Sequence, residues 1–317
     1  MTEPGAPASL CDAYGQALVE LGERDPRLAV FVADRTDATR TKAFGQRFPE
    51  RFFNVGVMDA SMISMAAGAS RGGRTVFASA PAVFAAGQAY HSVRQSVCYP
   101  RANVKIVATP AGLLAGADGG PVQIVEDIGL MRGLPGMTVI VPGDAPTTRS
   151  ATFAVAERLG PAYLRLAGES LPVVTDGSFA LGRAAELRSG TDLTLVALGS
   201  LLARALRVAD DLARVGVSVR VLDFASVKPF DEPALLRAAR DTGAILVLEE
   251  HSVLTGVGAL VAATTSENYP VPVRRVGVPD VFGESGEPGA LLDRYGMSVE
   301  RIRDEAWELL QIRGKVH

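Results

Sequence analysis

What most constrains this chain is the alternation of short, β-branched apolar runs with segments of helical length. The runs LAVFVA (28–33), TVFAS (75–79), NVKIVAT (103–109), MTVIVP (137–142) and AYLRL (162–166) have the length and composition of strands buried on both faces. Helices are expected between them, near 11–22, 58–70, 84–98 and 146–159. This order predicts parallel strands joined by crossover helices. A second set of strands follows in LTLVALG (193–199), VSVRVLDF (217–224), AILVLEE (244–250) and VRRVGV (273–278), with helices near 200–215, 232–240, 256–267 and 298–311. The stretch 170–192 has no clear periodicity and several turn formers, so it reads as a linker. The expectation is an α/β chain of two domains, 1–175 and 190–317, which suits 317 residues at roughly 150 per domain.

Composition narrows the functional classes. A net charge of -3 excludes a dedicated nucleic-acid binder, which would carry a basic surplus. No apolar run approaches the roughly 18 residues of a membrane span, and MTEPGAPASLCDAYGQ lacks the basic and apolar regions of a signal peptide. A cytoplasmic protein is expected. Two cysteines, Cys11 and Cys98, cannot build a disulfide framework or a zinc cage. With only His91, His251 and His317, histidine-based catalysis has few candidates.

The sharpest candidate for chemistry is the loop TPAGLLAGADGGPVQIVEDIGLMR (109–132), which follows a buried-type strand where α/β proteins place ligands. Its glycines would let backbone amides approach a ligand, although a tight connector would look the same. Asp59 opens an otherwise apolar, small-residue helix, either capping it or facing a ligand as a buried acid. Asp34 and Asp37 follow the first strand and suit capping or ligand contact equally. His251, after Glu249 and Glu250, reads as a base or, more commonly at such a turn, a structural contact. Neither CxxC nor HExxH occurs, and Asn54, Asn103 and Asn268 do not follow the Gly-Asp-Gly of a magnesium–diphosphate site. No metal ligands are expected in this chain.

The segments FGQRFPERFFNVGV, FASAPAVFAAGQAYHSVRQSVCYPRANVKIVAT, AGLLAGADGG, EDIGLMRGLPGMTVIVPGDA, VLEEHSVLTGVGALV and PDVFGESG together resemble the C-terminal half of transketolase, above all its split, two-subunit form. Deoxyxylulose phosphate synthase and the beta subunits of pyruvate-dehydrogenase-type enzymes are similar more distantly. The resemblance implies a pyrimidine-binding domain, a parallel sheet with helices on both faces, followed by a smaller C-terminal α/β domain. It also implies thiamine diphosphate held between subunits. The diphosphate and Mg2+ site would belong to a partner, the N-terminal transketolase subunit, in an α2β2 assembly.

Carried over position by position, the resemblance is uneven. Transketolases place a glutamate in Val-Gly-Ile-Ala-Glu-Gln, where it bonds the aminopyrimidine and favours its imino tautomer. Here Val55-Gly56-Val57-Met58-Asp59-Ala60 makes Asp59 the expected catalytic residue, one methylene shorter. Phe84 matches the aromatic that packs on the pyrimidine, Asp34 matches the acid near the cofactor, and Gln88 lies on the helix expected to line that pocket. Asp118 matches a position that contacts a substrate hydroxyl. Pro110 and Val122 replace two histidines that contact sugar or donor oxygens, and Gly168 replaces an arginine that holds the substrate phosphate. Arg165 is close by in the chain, and Ala80-Pro81 replaces Thr-Phe of the usual Ser-Thr-Phe. His251 matches a Glu-Glu-His of architectural role. The expected reaction transfers a two-carbon ketol or acyl unit to a non-phosphorylated acceptor, small or carrier-bound, in specialised biosynthesis. The alternatives are a beta subunit of a 2-oxo acid decarboxylase or acyltransferase, and a catalytically degenerate scaffold.

Overall fold

The computed structural model describes residues 5–313; His317 and the first four residues of the segment read for a signal peptide lie outside them. The strands are β1 (Gly5–Ser9), β2 (Ala29–Val32), β3 (Phe52–Asn54), β4 (Val76–Ala80), β5 (Val104–Ala108), β6 (Thr138–Ile140), β7 (Ala162–Arg165), β8 (Ser170–Val173), β9 (Ala185–Arg188), β10 (Leu193–Ala197), β11 (Val219–Asp223), β12 (Ser226–Lys228), β13 (Ile245–Ser252) and β14 (Val273–Val278). Two sheets dominate, in the orders β12-β6-β7-β5-β4-β2-β3 and β14-β13-β10-β11-β9, and a two-stranded ribbon pairs β1 with β8. Within the large sheets every pairing is parallel except those of the edge strands β12 and β9.

Burial explains why these runs are strands. Val30, Phe77, Val107 and Leu164 point to one face of the first sheet, while Phe31, Ala78, Ile106 and Tyr163 point to the other. The helices Leu10–Arg24 and Ala145–Glu157 cover the first face through Leu10, Tyr14, Leu18, Ala151 and Val155. Asp59–Ser70 and the segment 83–98 cover the second through Met62, Ile63, Ala66, Ala86, Ala89 and Val93. The same two apolar clusters run on into the second sheet, through Leu195 and Leu246 on one side and Val196 and Val247 on the other. The α/β fold, with the larger, mainly parallel sheet first, is therefore as expected.

Three features of the fold go beyond the sequence reading. The stretch 170–192 is more than a linker: it contains β8 and β9, both edge strands of four residues. Such strands bury too few side chains to leave a periodic pattern. The chain also crosses back, since β12 pairs antiparallel with β6 and closes the edge of the first sheet with a strand from the second half (Ser226 opposite Ile140). The helix expected over 84–98 is wound in part as a π-helix, over Val83–Gln88 and Val93–Cys98. Ala89 N–H thus bonds Phe84 O, five residues back, at 2.9 Å. Such widened turns are frequent at functional sites.

Candidate functional site

The carboxyl ends of β2, β3, β4 and β5 lie side by side, and each leads into a segment holding candidate residues. The chain steps from β2 to β3 in one direction and then returns past β2 to β4 and β5, which makes this edge a natural ligand crevice. After β2 the backbone turns at Asp34, whose φ of 59° is a conformation that aspartate tolerates better than most residues. Asn54, at the end of β3, fixes that turn: its Oδ1 accepts the N–H groups of Asp34 and Gly56, both at 3.1 Å. One side chain therefore ties the exit of β2 to the turn that launches the next helix. The Asp34 carboxylate itself is exposed.

Asp59 is the first residue of that helix, not its cap: Met58 holds the cap position, and no side chain caps the helix there. The Asp59 side chain is 3% exposed, and its Oδ1 is buried without a hydrogen-bond partner. The second oxygen faces Arg35, whose Nη1 lies 3.8 Å away, too far for a hydrogen bond. That Nη1 is also buried and unpartnered. The guanidinium lies over the Phe84 ring, with Cζ 4.4 Å from the ring centre. Burial pushes the Asp59 carboxyl above the usual carboxylate range, and the charge of Arg35 pulls it back. An unpaired acceptor, an unpaired donor and an aromatic face thus converge at the start of a helix. Such a place suits a planar nitrogen heterocycle, which offers a ring to stack and nitrogen atoms to bond. Arg35 went unnoticed in the sequence; its one signal was a cation directly after an acid at the end of a buried strand.

A second group follows β5. Pro110 O accepts the N–H of Ala82 at 3.0 Å, which holds the loop against the segment leading to Phe84. The loop continues as the tight turns Gly112–Asp118, broken at Gly116 (φ 64°, ψ -118°). Asp118 is exposed, while Pro110 and Val122 are half-buried. Gln123 anchors the loop from inside, its Nε2 donating to Gly116 O at 2.8 Å and to Glu284 O at 2.9 Å. Position 283 must be glycine for this, because a Cβ there would lie 1.9 Å from Gln123 Oε1. The second half of the chain therefore holds the candidate substrate loop in place. Gln88 and His91 are exposed on the helix that carries Phe84.

The cations near this loop are accounted for. Arg165 faces neither solvent nor the crevice: its Nε bonds Asp127 Oδ2 at 3.0 Å and its Nη1 bonds Glu250 Oε2 at 2.8 Å, all three side chains being buried. Glu250 in turn accepts the N–H of Leu113 in the loop after β5. His251 Nε2 accepts Gly129 N–H at 3.3 Å, an architectural contact between the two halves. A Cβ on Gly168 would lie 2.8 Å from Pro110 Cβ and 3.1 Å from Leu114 O, so Pro110 fills the space a longer side chain would need.

Comparison with known proteins places this arrangement. Residues 6–173 match the transketolase pyrimidine binding domain, and residues 182–302 match the transketolase C-terminal domain. The chain belongs to the transketolase family. It is 39% identical over 95% of its length to a 6-deoxy-6-sulfo-D-fructose transketolase subunit of Clostridium sp. (strain MSTE9), covering 94% of that protein. It is 33% identical over 94% of its length to an apulose-4-phosphate transketolase subunit of Phocaeicola vulgatus, covering 96% of it. A solved structure described as a split gene transketolase, inactive beta4 tetramer, superposes with a TM-score of 0.89 at 44% identity, covering 97% of this chain and all of that one. The chain is thus a C-terminal subunit of a split transketolase, a thiamine-diphosphate-dependent transferase that works with a partner. No helix among the described residues is long and apolar enough to cross a membrane.

Proposed function

We propose that this subunit supplies the pyrimidine half of the cofactor site in an α2β2 enzyme, transferring a two-carbon ketol or acyl unit to an acceptor that carries no phosphate at the usual place. The observation that carries this reading is the buried Asp59 carboxylate, its Oδ1 without a hydrogen bond, beside Arg35 and Phe84. Bound thiamine diphosphate would supply the carbon nucleophile, its diphosphate and Mg2+ held by the N-terminal subunit. Asp59, its carboxyl raised by burial, would share its proton with the ring nitrogen and so favour the imino tautomer. Phe84 would stack on the ring, with Asp34 and Gln88 at the rim. In this reading residues 1–175 would form the domain that holds the site and 190–317 the domain that braces its loop. Two free, buried thiols suit a reducing, cytoplasmic setting.

Asp118 would bond a substrate hydroxyl, while Pro110 and Val122 give the pocket apolar walls where proton-carrying imidazoles are usual. A dianionic phosphate needs charge-assisted donors. Arg165 is consumed by Asp127 and Glu250, and Gly168 offers none. Because two relatives are named for a sulfonated and a phosphorylated sugar, both kinds of ketose belong in the first donor screen, beside unphosphorylated acceptors.

The test is reconstitution with the N-terminal subunit and a screen for cofactor-dependent transfer, with Asp59→Asn run in parallel. Loss of that positioned, proton-sharing carboxyl should lower kcat by about 10²–10⁴-fold. Unchanged turnover in that variant would instead favour a scaffold subunit. Carbon dioxide release from pyruvate would favour a 2-oxo acid decarboxylase. Transketolase-like turnover of xylulose 5-phosphate would defeat the substrate assignment.

A further inference from the structure

Arg35 stands where the reading above puts the cofactor ring. Its guanidinium is planar, carries in-plane N–H donors, covers the Phe84 face at 4.4 Å and turns Nη1 towards Asp59 Oδ2 at 3.8 Å. Those are the contacts an aminopyrimidine would make: one ring face to stack on and one carboxylate to bond. The fit is nevertheless poor, because Arg35 Nη1 and Asp59 Oδ1 both stay buried without hydrogen bonds. A group that belonged there permanently would be expected to satisfy them.

We propose that Arg35 is a built-in stand-in for the pyrimidine ring, occupying its place in the cofactor-free subunit and swinging out when the cofactor enters. The two cannot share the site. A separation of 4.4 Å is already contact stacking, with no gap for a ring between guanidinium and phenyl. An exit exists, since the Arg35 side chain is 32% exposed. Its backbone meanwhile stays fixed, with Arg35 O accepting Thr39 N–H at 2.9 Å and Thr39 Oγ1–H at 2.8 Å. In the free subunit the cation keeps the buried Asp59 charge and the Phe84 face from standing empty. The entering ring then has to displace a cation–π contact and an ion pair, so cofactor affinity is set partly by this residue. The inference rests on the reading that the pyrimidine packs on Phe84 and Asp59.

The experiment is calorimetric titration of thiamine diphosphate, with Mg2+, into the reconstituted two-subunit complex. Arg35→Leu should bind about tenfold more tightly than the unaltered complex, or about 1.4 kcal/mol. Arg35→Lys, which keeps the charge but loses the planar stack, should fall between and serves as the readout should the leucine variant not melt cooperatively. Unchanged or weaker cofactor binding in these variants overturns the stand-in role. A weaker value would mean that the arginine stays and touches the cofactor. Asp59→Ala made in the Arg35→Leu background separates this from failure of the underlying reading. If that second change weakens binding while Arg35→Leu alone tightens nothing, only the stand-in is wrong. If Asp59→Ala leaves affinity untouched, the ring does not sit on Asp59 and both fall.

Discussion

Replacing Arg165 by methionine tests how the second half of the chain holds the loop after β5. Arg165 bridges two buried carboxylates, Asp127 at 3.0 Å and Glu250 at 2.8 Å, and its side chain is 5% exposed. Asp127 also accepts the Tyr163 hydroxyl at 2.7 Å. Glu250 holds the N–H of Leu113, so the cluster connects β7, β13 and the loop after β5. Methionine keeps most of the volume and removes the charge, leaving two buried carboxylates uncompensated. Breaking one buried pair costs about 3–5 kcal/mol, and with two partners stranded the upper end of that range is expected near pH 7.5. Burial already pushes the Glu250 carboxyl up while Arg165 holds it down. Without the arginine the Glu250 carboxyl titrates still further above its unfolded value, so the native state binds an extra proton. The deficit should therefore be largest at neutral pH and shrink as the pH falls towards 5. Urea unfolding of both proteins at pH 7.5 and pH 5 measures this. A deficit below about 1 kcal/mol at pH 7.5, or one that does not shrink at pH 5, would refute the argument.

Two further outcomes can be checked on the same footing. Gly168→Arg, which restores the cation usual in the family, should not by itself confer turnover of phosphorylated sugars, because its Cβ meets Pro110 at 2.8 Å and Leu114 O at 3.1 Å. Kinetics of that variant against a Gly168→Arg, Pro110→Gly pair would show whether space is the obstacle. Asp223 is buried and its Oδ1 unpartnered, and burial together with the nearby Asp144 pushes its carboxyl up to about 7. A raised carboxyl pKa gives stability present below the unfolded value of 3.8 and lost as pH rises through about 7. Asp223→Asn should remove that loss, raising the melting temperature at pH 8 relative to the unaltered chain and flattening the profile between pH 4 and pH 7. Equal slopes in the two proteins would show that Asp223 is not the group responsible.

The central strands were legible in the sequence because each is buried on both faces, which forces a dense apolar run whatever the tertiary context. The edge strands β8, β9 and β12 were not. Each has three or four residues and is partly exposed, so local pattern cannot distinguish them from loop. Asp59 was visible because it opens an apolar helix at the position where the resembling family places its glutamate. What it faces was not visible, since Arg35 reaches it from across the crevice and covers Phe84 from a third segment. Arg165 shows the same limit from the other side. It lies close in the chain to Gly168, yet its side chain faces Asp127 and Glu250, which come from two other elements.

The antiparallel pairing of β12 with β6 has a kinetic side. As the chain leaves the ribosome, β6 emerges with one rank of backbone amides and carbonyls unsatisfied, and the strand that covers it is synthesised only after β7, β8, β9, β10 and β11. At about 5–20 residues per second the bare edge lasts for seconds. Nascent copies of this subunit on one messenger could pair through that edge in the meantime. A gene truncated before Ser226 would make the exposure permanent, and its product should precipitate even though every residue of the first sheet's parallel core is present.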